Sequence, residues 1–460
     1  MTQRCNIVNR CPAAASLVAV VILCVAAGDA AAPPAAKDAP PANPLATAWD
    51  SLPSGRWREA RRSDAVAEGL TEEQRQEIAR LESIGYLSGS HSAPPLVGVT
   101  VYDPARAFRG HNSYTSGHLQ GALLMDMRGE VVHRWECEFD EVWPDYVRTE
   151  PGVGETPGDW TPWTNTGCWR RAHLCENGDV LGIYEGLGIV RLDRTSEVVW
   201  ANLAGCHHDL DVTDNGTVYV LTRDAHILPR HNKRWPVLED YVSVLDGRTG
   251  REFRRVSVLE AFERSMFASF LERMQKRGDI LHTNTVEVLD RRLAHRNPAF
   301  REGNVLISLR KLDVIAVIDM DRARVVWAMS GMWNEQHEPT VLANGRMLIF
   351  DNRGWRSEEG EEASRVLEFD PFTQELLWSY GGQGAEFYSK TCGTAARLPN
   401  GNTLITESDY GRAFEVTDEG EIVWEFMNLA VTGSRDEFIA TLFEVVRVSR
   451  GQVAEWLETE

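Results

Sequence analysis

GALLMDMRGEVVHRW, residues 121–135, runs an apolar stretch into Asp126, turns, and returns through a β-type run that ends on Trp135. The pattern recurs as GIVRLDRTSEVVW (188–200), YVSVLDGRTGREF (241–253), IAVIDMDRARVVW (315–327), RVLEFDPFTQELLW (365–378) and RAFEVTDEGEIVW (412–424). Its aspartates are Asp126, Asp193, Asp246, Asp319, Asp370 and Asp418, about 58 residues apart on average, room for four strands and their loops. Trp135, Trp200, Trp327, Trp378 and Trp424 close five units and Phe253 the other. These are structural devices, turn chemistry for the aspartates and packing between sheets for the aromatics.

A second set of hairpins lies between the first: RAHLCENGDVLGIYE, HDLDVTDNGTVYVLTR, HTNTVEVLD with GNVLISLR, HEPTVLANGRMLIFDN and GTAARLPNGNTLITES. Two alternating hairpins per unit without crossover helices predict an all-β fold, a six-bladed β-propeller, each sheet buried between two neighbours. A seven-bladed ring or a pair of β-sandwiches would be the alternatives. The run at Val99–Tyr102 is expected to complete the last blade with Leu442–Val448. Helical patterns are confined to 71–89, about 256–276 and the turns after Gln452.

The N-terminus reads as an export signal. Arg4 and Arg10 precede the uncharged apolar stretch Ala13–Ala27, and Gly28-Asp29-Ala30 offers small residues for cleavage. Cys24 follows the bulky Leu23, a poor setting for lipidation. The expected organisation is a signal peptide or N-terminal anchor at 1–30, an Ala/Pro linker and docking helix at 31–95, and the propeller at 96–460. The expected location is periplasmic or secreted, with membrane anchoring through the N-terminus left open. Cys137, Cys168, Cys175, Cys206 and Cys392 follow the leader, and Cys168 could bridge Cys175 in an oxidising compartment. With 68 acidic against 48 basic side chains, a net charge of −20 and no basic block, the chain is not a general nucleic-acid binder.

Aligning the inner hairpins on Gly178, Gly216, Gly303, Gly345 and Gly401 reveals a register. Eight residues before the glycine stand Arg170, His208, His337 and Gly393; in the third unit, interrupted by 291–302, His282 stands eight before Asp290. Seven residues after it stand Glu185, Arg223, Arg310, Asn352 and Ser408. Strand starts and the ends of the next strands share one end of a hairpin, so these residues should surround one channel mouth. His207 should alternate away from His208 unless a bulge intervenes. Such a ring, rich in donors and with Glu185 as its carboxylate, suits a tetrahedral sulfuryl or phosphoryl oxyanion, and a neutral histidine could carry the group covalently. Three histidines are also the ligand set of some zinc sites, but neighbouring arginines disfavour a cation. The loops at 144–166 and 351–363, with Trp160, Trp163 and Trp355, are expected to overhang a rim.

The motifs HHDLDVTDNG, HTNTVEVLD with NVLISLR, and QHEPTVLANGRMLIFDN, with the opening VGVTVYDPARAFRGHNSYTSGHLQGALLMDMRGEVVHRW, resemble the bacterial arylsulfate sulfotransferases over about 97–448. The resemblance implies sulfuryl transfer from an aryl sulfate to a phenol without a nucleotide sulfate donor, cofactor or metal. It implies that His337 is transiently sulfated, that His282 and Arg310 bind the sulfuryl group, and that His208 or His207 is the remaining active-site histidine. Arg223 and Asn352 are the further substrate-binding candidates from the register. No sequence counterpart of the family's N-terminal dimerisation domain stands at 31–95, so homodimerisation is not implied, and its close-spaced disulfide has no matching pair. Two rival readings remain: a non-catalytic propeller binding an anionic ligand or a protein partner, and a metal-dependent propeller hydrolase.

Overall fold

The computed structural model describes residues 71, 91–92, 97–146, 168–356, 362–382, 387–432 and 438–457. By internal contacts the chain divides into residues 1–55 and 56–460, and the described residues belong to the second unit. The leader, the linker, the helix read at 71–89 beyond Thr71 itself, Trp160 and Trp163 lie outside the described residues. Of the 31–95 segment, His91–Ser92 pairs with Phe438–Ile439 in a small three-stranded sheet. Among the described residues no helix is long and apolar enough to cross a membrane.

The body is mostly β and propeller-like: antiparallel meanders follow one another in chain order. The first holds Leu442–Val448, His111–Ser116, Gly121–Met125 and Val131–Glu136. Next comes an eight-stranded sheet whose hub is the 15-residue strand Val198–Val212. The first part of this strand pairs with Leu187–Leu192, the last part with Thr217–His226, and Cys206 faces a partner on both sides. Two four-stranded sheets follow, starting at Thr283–Val288 and His337–Val341. The last sheet starts at Thr394–Arg397 and has five strands.

Both sets of hairpins form where the repeat puts them. At the inner turns Gly178, Gly216, Gly303, Gly345 and Gly401 take left-handed φ values of 78–93°, a conformation that costs a residue with a Cβ. At the outer turns the aspartates work as anticipated: Asp126 Oδ1 accepts from the Arg128 and Glu130 amides at 2.8 and 2.9 Å, and Asp193 repeats the pattern. The sixth unit departs from the expected pattern. There Thr417 Oγ1 accepts the Glu421 amide, while Asp418 offers its backbone carbonyl to Trp378 Nε1 at 2.8 Å.

The tryptophans join one unit to the next. Trp135 Nε1 donates to Gly178 O at 3.0 Å, Trp200 Nε1 to Gly247 O at 2.9 Å, and Trp424 Nε1 to Met127 O at 3.0 Å. The last bond ties the final repeat to the first. Around it Trp424, Phe426, Val423 and Ala413 pack with Leu123, Met125 and Tyr114. Phe253, without an N–H to give, is 43% exposed.

Three expectations need correction. Val99–Tyr102 and Leu442–Val448 do not share a sheet: Gly98–Tyr102 adds to the outer edge strand Ile422–Met427, whereas Leu442–Val448 pairs with His111–Ser116. Each terminal run thus completes a different sheet, locking both ends of the domain. Of the segment 351–363, the described residues 351–356 and 362–363 lie in the paired strands Met347–Arg356 and Glu362–Phe369 rather than in a loop, with Trp355 opposite Ala363. Cys168 and Cys175 flank the extended strand Trp169–Leu174, about 20 Å apart at strand rise and beyond disulfide reach. Cys168 packs instead with Cys392 and Phe443. The helical pattern near 256–276 resolves into Val258–Glu263, capped by Ser257 Oγ, and a 3-10 stretch Ala268–Arg273.

Replacing Trp424 with alanine removes a fully buried side chain and the closing bond, and should lower unfolding free energy by about 3–5 kcal/mol. Phe253→Ala should cost far less. Equal urea midpoints for the two variants would refute the closing role of Trp424.

Candidate functional site

The inner strands do not start as regular β-structure. Pairing register shifts between His207 and Leu210, leaving His208 and Asp209 out of the ladder, again between Thr283 and Thr285, and again between His337 and Thr340. At these places His208, His282 and Glu338 adopt φ values of 54°, 55° and 49°. A non-glycine residue seldom enters this region, and a bulge that contains one re-aims side chains. His207 and His208 accordingly meet, although strict alternation would part them. Their rings are perpendicular at 5.1 Å, and their Nδ1 atoms lie 2.8 Å apart.

The structure gathers the residues of the register. His208 stacks edge-on to His282 at 4.9 Å. The His208 amide donates to Glu185 Oε2 at 2.9 Å, and its Nδ1 is 3.4 Å from Glu185 Oε1. The Arg223 guanidinium lies over Gly186, where any Cβ would collide with it. Arg310 pairs with Glu335, which also holds Arg353 at 2.9 Å. Arg170 lies 5.1 Å over the Phe443 ring. His207, His208, His282, His337, Arg170, Arg223, Glu185 and Asn352 are all buried.

His337 has the most constrained setting. Its Nδ1 lies 2.7 Å from Asn352 Oδ1. The Asn352 amide nitrogen donates to the carbonyls of Ser389 and Cys392 at 2.8 and 2.7 Å. Two carbonyl acceptors leave the amide one orientation, so its oxygen must accept from Nδ1–H, and Nε2 carries the lone pair. Burial keeps His337 well below the ordinary imidazole range; Arg310 and Arg170 add to this, and the Asn352 bond opposes it. His207 and His208 are likewise held neutral, first by burial and then by neighbouring arginines and histidines.

Three groups near the ring escaped the sequence reading. Asp279 Oδ2 accepts a hydrogen bond from His282 Nδ1 at 2.6 Å. Asp240 Oδ1 is 3.7 Å from His207 Nε2 and, through Oδ2, anchors the Thr283 amide at 2.8 Å. Neither belongs to the aligned positions; Asp279 sits on the two-residue parallel strand Gly278–Asp279. The third is Arg171, one residue past Arg170. Its guanidinium binds Asp209 at 2.8 Å and Glu338 and Glu444 at 2.7 Å each. Burial works against its charge, but the three carboxylates keep it protonated. Asp209 and Glu338 directly follow His208 and His337, so the ring rests on an ion-paired layer.

The chemistry of this ring is anion binding. The buried Nε atoms of Arg170 and Arg310 find no acceptor among the described residues, an expensive state unless a ligand supplies one. Among the described residues a cation has one potential foothold, Glu185, His207 and His208, whose donor atoms fall within 4.8 Å of one another. Arg223 and Arg170 both act on Glu185 and compete with a metal there. A 940 Å³ cavity at the opposite, turn-bearing ends of the strands is lined by Arg106, Arg346 and Arg397. Those arginines are already paired with Asp103, Glu421 and Glu368, so that cavity lacks the ring's unsatisfied donors.

Among solved structures the chain is similar to a protein of unknown function from Bacteroides caccae (12% identity, 74% of this chain and 99% of that one, TM-score 0.47). It is also similar to a streptogramin B lyase (11% identity, 78% of this chain and 97% of that one, TM-score 0.41). A third likeness is to the Dos1 propeller (10% identity, 76% of this chain and 75% of that one, TM-score 0.36). Likenesses this distant carry no functional argument. No curated protein is significantly similar in sequence. The family described as arylsulfotransferase (ASST) matches residues 171–429, more than half of the chain and the span holding His207, His208, His282, Arg310 and His337. The chain belongs to the arylsulfotransferase family.

Proposed function

We propose that this arylsulfotransferase moves a sulfuryl group from an aryl sulfate to a phenol through a sulfohistidine at His337, without a nucleotide donor. The observation that carries the reading is the Asn352 clamp, which leaves Nε2 of a buried neutral histidine as the nucleophile. In the first half-reaction Nε2 attacks sulfur, the N–S bond forms, the S–O bond to the aryl group breaks, and the phenol departs with a proton. In the second, the acceptor oxygen takes the group as its own proton leaves. Arg310, Arg170, Arg223, His282 and His208 surround the sulfuryl oxygens, whose charge grows in the transition state.

The proposal extends to architecture and location. Divided within Val198–Val212, the eight-stranded sheet yields two meanders, and the body then counts six blades. The leader supports export to the periplasm or beyond. A second reading, metal-dependent hydrolysis, draws on Glu185, His207 and His208; it requires stoichiometric metal and loss of activity on chelation.

Intact-mass measurement after brief exposure to 4-nitrophenyl sulfate should show a gain of about 80 Da, one SO₃, on the wild type and none on His337→Ala. Turnover by His337→Ala at the wild-type rate would refute the covalent role. The pH profile gives an independent check. A depressed imidazole stays unprotonated as pH falls, so adduct formation should hold its rate through the ordinary histidine value of 6.5 and fail only well below it. Arg310→Gln removes a cation that holds His337 down, and should shift this acidic limb to higher pH while slowing transfer by about 10²–10³. A limb centred at 6.5 in both proteins would contradict the assignment.

A further inference from the structure

The sulfohistidine reading leaves one task open: a proton must reach the departing aryl oxygen and be taken from the incoming phenol. The four rim histidines differ in what holds them. His337 faces an amide oxygen. His207 and His208 share a contact with each other, and stand 3.7 Å from Asp240 and 3.4 Å from Glu185 respectively. His282 has a carboxylate at short range, Asp279 Oδ2 at 2.6 Å from Nδ1. Such a partner fixes the tautomer, reserves Nε2 for proton exchange, and stabilises the imidazolium as it forms.

The surroundings of Asp279 suit that task. Lys311 Nζ donates to its backbone carbonyl at 2.7 Å and stands 3.5 Å from Oδ2. The short parallel strand Gly278–Asp279 pairs with Val237–Leu238 and delivers Asp279 to the rim from outside the repeated hairpins. Three residues on, the left-handed backbone of His282 turns its ring beside His208.

We propose that His282 is the general acid–base of the transfer and that Asp279 is its positioning residue, an inference that rests on the sulfohistidine reading. As His337 Nε2 bonds to sulfur and the S–O bond breaks, His282 Nε2–H gives its proton to the aryl oxygen and phenol is released. As the acceptor oxygen bonds to sulfur and the S–N bond breaks, neutral His282 Nε2 takes the acceptor's proton. The cycle closes with the proton back on His282. Burial holds His282 below the ordinary imidazole range, Asp279 works against this, and Arg310 and Lys311 add to it. The base needed for the second step is therefore available at neutral pH, and a bound sulfate anion favours the acid needed for the first.

Asp279→Asn separates this role from a structural one. The burst of aryl product would be timed with 4-nitrophenyl sulfate, whose leaving group needs no proton, and with phenyl sulfate, whose leaving group does. The loss should be about 10²-fold greater on phenyl sulfate, and Asp279→Glu should recover part of it. Equal losses on both donors, or no loss on either, would overturn the inference. Should Asp279→Asn fail to fold, His282→Gln takes its place with the same two donors: a greater loss on phenyl sulfate supports the acid–base role, and equal losses overturn it. Absence of a sulfated His337 in the wild type would instead defeat the sulfohistidine reading, so the two failures are distinguishable.

Discussion

The indole N–H of Trp424 reaches across the seam between the last repeat and the first to the carbonyl of Met127, and the rest of the fold depends on that closure. Each sheet buries both faces only if it has two neighbours, so a row of sheets must become a ring or leave apolar faces in water. The same bond recurs from Trp135 and Trp200 to the units that follow them. Its directionality adds what packing lacks. A buried N–H with one available carbonyl specifies how far each sheet may slide over the next.

Once the ring is closed, its narrow end must accommodate strand starts from several sheets, and regular alternation there would send half of the side chains into the sheet interfaces. The bulges between His207 and Leu210, Thr283 and Thr285, and His337 and Thr340 break that alternation. At two of them one residue belongs to the candidate ring and the next to its frame. His208 and His337 face the site, while Asp209 and Glu338 grip Arg171 below it. Left-handed backbone at His208, His282 and Glu338 accompanies this doubling, and strain of that kind persists only where surrounding structure over-determines it.

Much of this was legible in sequence because it repeats. Counting from turn glycines required only hairpin geometry, and it brought Arg170, His208, His282, His337, Arg310 and Asn352 to one rim without knowledge of which sheets touch. What the count could not deliver was non-local or unrepeated. Val99–Tyr102 and Leu442–Val448 are both alternating runs, and either could border either sheet; their partners lie over 300 residues away in sequence. Asp279 has no counterpart in other units, so no alignment could expose it. The substitution of Thr417 for an aspartate was hidden by Asp418 beside it, whose side chain is not the one that caps the turn.

The pairing of His111–Ser116 with Leu442–Val448 has a consequence for how the protein comes into being. During synthesis the early strand emerges with an open edge, and its partner follows more than 300 residues later. Glu444 on that late strand also supplies a third of the carboxylate grip on Arg171. The histidine ring is therefore among the last parts of the molecule to acquire its frame, however early its individual residues are made. Until then the exposed edge is an invitation to foreign strands. A chain built this way completes its candidate site and gains its protection from aggregation in the same event.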